Sequence, residues 1–428
     1  MTPKVRGFVC SVAVLTSLSW AGCGSDQPLC AQIGQQAALG GSPLALTWDA
    51  VLLRAGDGFV LAGLDGTTVR WGQLSSDGVI SGESAFDLPE PPATTVGVRS
   101  LGPLFAVTSK TAPGDQLVVV IGFGTLGHYD VYAWVYDLGS TVSPQVLGVQ
   151  AAGSGSSPVR LVVGSSPDGT RALVAWGAEG QPIQYQMLGP DGAQVGDQGA
   201  IYGSLGQNSI PHWSCLDTTQ NNASNLAVTL VEAPNSEHPL QPRWHRFAIG
   251  DDGSIGEQVM IDMKFDLTDC RIVSTPTSDD GQLLAWQNNA SNGGTYFASL
   301  TSPPPDAGPG STDNVTIHPV LASASYGGYS QMPKLAWIAP AGYEFTLGLA
   351  QSRGPQVVRF DFFADPRGKT LYLPSVSGNP GPVSAWVGTD AVYVTYLDMP
   401  GSSTQPDAGV PAGSQRYLVK VLSPAKLP

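Results

Sequence analysis

Charge is scarce in this 428-residue sequence: Asp, Glu, Lys and Arg together make only 13% of it. Ordinary soluble domains carry about twice that share. Bases are the rarer sign, 20 Lys and Arg against 34 Asp and Glu, for a formal net charge of −14. A surface of that sign does not displace counterions from a polyanion, which excludes a nucleic-acid binder of the basic kind and leaves only a locally basic pocket open. The chain has 5 cysteines and 5 histidines. They form no CxxC pair, HExxH motif or close His cluster, so neither a metal nor another cofactor is expected. GxSxG elbows, Walker-type glycine loops and EF-hand spacing are missing as well. After the first 22 residues no apolar run is long enough to cross a bilayer. Helical periodicity is hard to find there too.

Turn formers are abundant: Gly 53 and Pro 35. Asp-Gly, whose tight turn needs positive φ at both residues, occurs at Asp57-Gly58, Asp65-Gly66, Asp77-Gly78, Asp168-Gly169, Asp191-Gly192, Asp252-Gly253 and Asp280-Gly281. Between the turns a unit recurs at roughly 50–60 residues, the length of a four-stranded repeat. Its second strand reads FVLAGL from Phe59, LVVVIGF from Leu117, ALVAWG from Ala172, LAVTLVE from Leu226, LLAWQ from Leu283, FTLGLA from Phe345 and VYVTYL from Val392. Its third strand carries an aromatic near its start: Trp71, Trp134, Tyr185, Trp244, Phe297, Phe360 and Tyr417. Aromatics at such mid-sheet positions fill the space between neighbouring sheets, and that outweighs a ligand-stacking ladder.

Seven units of four short strands resemble a β-propeller, and SPDGTRALVAW resembles the repeats of TolB-type, WD40-like propellers. The resemblance implies an all-β, seven-bladed ring of four-stranded antiparallel blades over residues 42–428. Two β-sandwiches, or six or eight blades, stay open as alternatives. The last unit lacks a fourth strand, and the N-terminal segment Ser42–Trp48 (SPLALTW) is expected to supply it and so cover an exposed edge. Residues 23–41 are then a flexible tether. In propellers the first-to-second and third-to-fourth turns share one face and the opposite face usually carries ligands. Six of the seven Asp-Gly pairs fall in turns of the first kind, Asp65-Gly66 being the exception. The presumed binding face receives the loop with His128 and Asp130, the loop with Glu237 and His238, and the long loop of the last unit.

The N-terminus carries an address. Lys4 and Arg6 precede an apolar stretch from Gly7 to Trp20, followed by Ala21-Gly22-Cys23. Small residues directly before a cysteine resemble the lipobox of bacterial lipoproteins, although Trp20 stands where that family usually has Leu. The resemblance implies a signal peptide over 1–22, lipid on Cys23 and export. Gly24 after the cysteine implies the outer membrane. An ordinary cleaved signal peptide is the alternative.

Innermost strands would line a central channel. Arg160, Arg271 and Lys334 align near their starts, with His212 and Arg99 close to equivalent places. Convergent bases would form an anion site for a carboxylate, phosphate or acidic glycan, unless neighbours such as Asp217 or Asp269 neutralise them. Cys215 and Cys270, in innermost strands of consecutive units, form either a disulfide or two buried thiols, and Cys30 has no evident partner. Two function classes follow. One is a non-catalytic binding or scaffold lipoprotein that holds a protein or glycan of the envelope and meets the membrane only through its lipid. The alternative is a propeller hydrolase or lyase acting on polysaccharide. No catalytic residue can be named, which favours the first.

Overall fold

The structure, a computed structural model, describes residues 32–422 except residue 49 and the stretches 56–57, 67, 88–100, 112–114, 126–127, 138–144, 152–158, 167–170, 179–181, 190–192, 202–212, 222–224, 233–242, 263–271, 277–281, 289–293, 301–314, 322–333, 339–341, 348–355, 361–370, 376–379, 388–390 and 401–409. Side chains are described mainly in the first, third, fourth and seventh sheets.

Among the described residues all regular structure is β-strand apart from one 3₁₀ turn over Leu44–Leu46, and the strands form seven four-stranded antiparallel sheets. The first contains Val51–Ala55, Gly58–Asp65, Thr68–Leu74 and Ile80–Asp87. The second contains Leu101–Thr111, Asp115–Thr125, His128–Asp137 and Gln145–Ala151. Val159–Ser165, Ala172–Ala178, Ile183–Leu188 and Gln194–Ile201 make the third. Trp213–Asn221, Asn225–Glu232, Arg243–Ile249 and Ile255–Asp262 make the fourth. The fifth is Ile272–Pro276, Gln282–Asn288, Gly294–Leu300 and Val315–Leu321. The sixth is Lys334–Ile338, Gly342–Leu347, Gln356–Phe360 and Leu371–Tyr372. The seventh joins Pro380–Val387, Ala391–Asp398 and Gln415–Leu422 to the N-terminal strand Gln32–Ala38.

The first six sheets follow chain order, the seventh takes its outer strand from the N-terminal side, and each stays open, with two edges. First strands of successive sheets touch, and the first strand of the seventh touches that of the first. Burial follows position in the sheet. The second strand Ala391–Asp398 is buried at every residue, because both its faces meet a neighbouring sheet, whereas the fourth strand Ile80–Asp87 is almost wholly exposed. Third-to-fourth turns use glycine where φ is positive, at Gly78 (φ 81) and Gly253 (φ 82). Two ends of each sheet are therefore distinguishable. First-to-second and third-to-fourth turns lie at one, here the turn end. Second-to-third loops leave from the other, here the loop end.

The strand beside Gln415–Leu422 is not the expected Ser42–Trp48. It is Gln32–Ala38, pairing from Gln32↔Leu422 to Ala38↔Tyr417, so these residues of the expected tether belong to the sheet. Local chemistry explains the difference. Pro43 fixes a helical φ of −54 just after Ser42, and the Ser42 hydroxyl accepts the Ala45 N–H at 3.1 Å. A 3₁₀ turn results, and it inserts Leu44 and Ala45 into the core between the seventh and first sheets. His128 and Asp130, expected in a loop, lie in the third strand of the second sheet.

Candidate functional site

Of the residues expected at an anion site, Arg160 is the second residue of the first strand of the third sheet, opposite Gly177. Lys334 opens the first strand of the sixth, opposite Thr346. Both sit at the loop end of innermost strands. Arg99, His212 and Arg271 lie outside the described residues, as do Cys23, Cys30, Cys270, Glu237 and His238. Cys215 stands in the first strand of the fourth sheet, opposite Val231. The third-strand aromatics that are described with their side chains in the first, third and fourth sheets are buried: Trp71, Tyr185 and Trp244. They pack, as expected.

At the loop end, charged side chains follow a motif that the sequence pattern carries. In three sheets the second strand ends on an acid: Asp65, Glu232 and Asp398. Each acid faces the preceding sheet, since alternate residues before it enter the core on that side: Leu61, Leu230 and Tyr396 respectively. Each also lies diagonally from the third residue of the third strand. Asp65 accepts from Arg70 Nε at 3.1 Å, and Glu232 Oε2 meets His245 Nε2 at 2.9 Å. Asp398 lies near Tyr417, whose pKa is pushed up by burial and then by that carboxylate. Ser375 donates to Asp398 at 2.7 Å. Tyr396 donates to the Pro374 carbonyl, and its phenol is held far above the ordinary value by burial first, then by Asp398 and Tyr417. The visible signal was the acid closing FVLAGLD, LAVTLVE and VYVTYLD.

Exposure separates these pairs. The Asp65 and Arg70 side chains are 57% and 31% exposed, whereas those of Glu232 and His245 are 2% and 0%. A carboxylate orienting a histidine is the geometry of a general base. Here no face of the ring is open to a substrate: His245 stacks on Phe247 at 6.0 Å between the third and fourth sheets. The pair holds the hairpin end to the core. No group of three or more His, Cys, Asp or Glu residues able to hold a metal occurs among the described residues.

No family model matches the chain, and no curated protein matches it in sequence. Solved structures it resembles include the polysaccharide lyase Uly1, with TM-score 0.49 and 9% identity over 90% of this chain and 91% of that one. The N-terminal domain of Nup159 gives TM-score 0.46 and 12% identity over 92% and 95%. A fungal lectin from Aleuria aurantia, a six-bladed β-propeller, gives TM-score 0.40 and 12% identity over 76% and 97%. Superpositions this loose carry no functional argument.

Proposed function

We propose that the chain is a non-catalytic binding or scaffold protein of the bacterial envelope, built as one closed seven-bladed β-propeller. Its signal peptide spans 1–22, lipid on Cys23 holds it to the outer membrane, and its partner is a protein or glycan bound at the loop end. The observation that carries this reading is the unbroken cycle of contacts among the first strands. In such a cycle the loop-end starts of all first strands surround one axis, and Arg160 and Lys334 occupy two of those starts. Arg271, His212 and Arg99 complete the basic mouth in this reading, and Cys215 with Cys270 ties two of its strands. Bases converging in an otherwise acidic protein focus a positive potential on a carboxylate, phosphate or acidic glycan. The inward, sealed Glu232–His245 pair favours binding over hydrolysis, because it supports the wall instead of meeting a substrate.

Purified mature protein screened against neutral, sulfated and uronic-acid glycans tests this. Binding to an acidic glycan that disappears in Arg160→Glu/Arg271→Glu is expected. Release of shortened oligosaccharides would replace the reading with a polysaccharide hydrolase or lyase, and binding untouched by the double variant would remove the anion site.

A further inference from the structure

The geometry points to the turn end of the ring as the surface that faces a lipid bilayer, which turns the loop end and its ligand outward. This rests on the lipid anchor at Cys23 proposed above.

The direction of one strand carries the inference. Third strands run from the loop end to the turn end, and Gln415–Leu422 is a third strand. Gln32–Ala38 pairs with it antiparallel, Gln32 opposite Leu422, so the N-terminal strand enters at the turn end. It leaves at the loop end, where the Leu39 N–H donates to the Arg416 carbonyl at 2.8 Å. The residues between Cys23 and Gln32 number eight by position, 24 to 31, and reach at most about 30 Å. Strands of seven or eight residues make each sheet roughly 25 Å high. With the turn end toward the bilayer, eight residues have only the gap to span. With the ring inverted, the same residues would climb the full height of the sheet, using nearly all their reach and losing conformational freedom at each residue.

Two surface features act at that end. Val79 and Ile255 are the most exposed large hydrophobics described, at 62% and 44%, and both belong to third-to-fourth turns or the residue just after them. Exposed Asp77, Asp251 and Asp252 lie in the same turns and repel anionic headgroups. That repulsion fades over about 8 Å in physiological salt. It lifts the ring by less than its height and does not invert it.

The test uses lipidated full-length protein on vesicles of phosphatidylethanolamine and phosphatidylglycerol with a rhodamine headgroup acceptor. A donor dye is attached through an azide-bearing residue at Ser76, exposed in a turn of the first sheet, or at Gly66, in the loop-end turn of the same sheet, where an added Cβ meets nothing within 4 Å. Energy transfer about twofold greater from Ser76 is expected, given a height difference of roughly 25 Å. Equal or reversed transfer, on vesicles with which the wild type floats and Cys23→Ser does not, overturns the orientation and leaves the anchor standing. A wild type that fails to float overturns both.

Discussion

Between the third and fourth sheets the joint is made by two neighbours in the chain, and between the seventh and first it is made by the chain's two ends. In the first joint Leu173, Tyr185 and Met187 pack directly on Leu226, Leu230 and Phe247. The Gly253 turn sits against Val195, Tyr185 donates to the Gly253 carbonyl at 3.0 Å, and Arg171 pairs with Asp251. In the second joint Phe59 and Tyr393 meet with ring centroids 4.4 Å apart, but Leu39, Leu44, Ala45 and Ala50 are packed in as a third party. Arg416, 0% exposed, donates to the carbonyls of Ala45 at 3.0 Å, Thr47 at 2.6 Å and Trp48 at 3.3 Å. The Ser384 hydroxyl accepts the Leu52 N–H at 2.9 Å. Apolar burial is common to both joints, so it does not distinguish them. Joining chain ends costs about 5 kcal/mol of loop-closure entropy at this length. The extra strand and the guanidinium offset that cost where the chain itself offers no restraint.

The largest effect is expected from deleting Gln32–Ala38. Its strand pairing with Gln415–Leu422 and its packing disappear together, a loss of about 5 kcal/mol or more at roughly 1 kcal/mol per backbone hydrogen bond plus burial. Urea unfolding reads it. A truncated chain as stable as the parent would show that the two joints do not differ in this way.

The next effect sharpens the comparison within one motif. Glu232→Ala should cost about 1–3 kcal/mol, because it removes a hydrogen bond from the buried His245 ring, whereas the equivalent Asp65→Ala should cost about 1 kcal/mol or less in its exposed setting. Equal effects in thermal melts would mean that burial is not what separates the pairs. Arg416→Met removes three hydrogen bonds to main-chain carbonyls and should cost about 2–4 kcal/mol, with the loss suppressed in a chain already lacking Gln32–Ala38 if the two features form one latch.

What was legible in the sequence was whatever depends on local pattern. The third strand of the first sheet is TVRWGQL, Thr68–Leu74, as the alternation and the Asp-Gly turn predict. The strand paired with Gln415–Leu422 was not legible. QIGQQAA has three glutamines and little β-propensity, and it becomes a strand because an edge of unpaired backbone waits for it, which is a tertiary cause. SPLALTW looks more strand-like and is diverted by Ser42 and Pro43. The acids ending three second strands were visible, but their diagonal partners depend on register, which only the pairing of Glu232 with Arg243 and of Asp65 with Thr68 reveals.

Smaller effects probe the turns. A Cβ on Gly78 would stand 2.5 Å from the Ala37 Cβ, and one on Gly253 would stand 3.1 Å from the Val195 carbonyl oxygen, both at positive φ. Gly78→Ala should therefore cost about 2 kcal/mol and Gly253→Ala about 1 kcal/mol in the same melts. The seventh sheet also gives an alkaline signature. Tyr396 has a folded pKa above its ordinary 10.0, so its contribution is complete below that pH and is lost as pH rises past it, when the unfolded chain ionises and the folded one does not. Stability should fall by up to about 1.4 kcal/mol per pH unit there, and Tyr396→Phe should flatten the fall.

Hydrogen exchange of the mature protein, read on peptides covering Gln32–Ala38 and Gln194–Ile201, addresses the closure itself. Both are outer strands, one recruited from the N-terminus and one supplied in chain order. Closure by the N-terminal strand predicts that the paired amides of the two exchange with comparable slowing under native conditions. Exchange over Gln32–Ala38 at the rate of an unstructured peptide, beside a protected Gln194–Ile201, would contradict it.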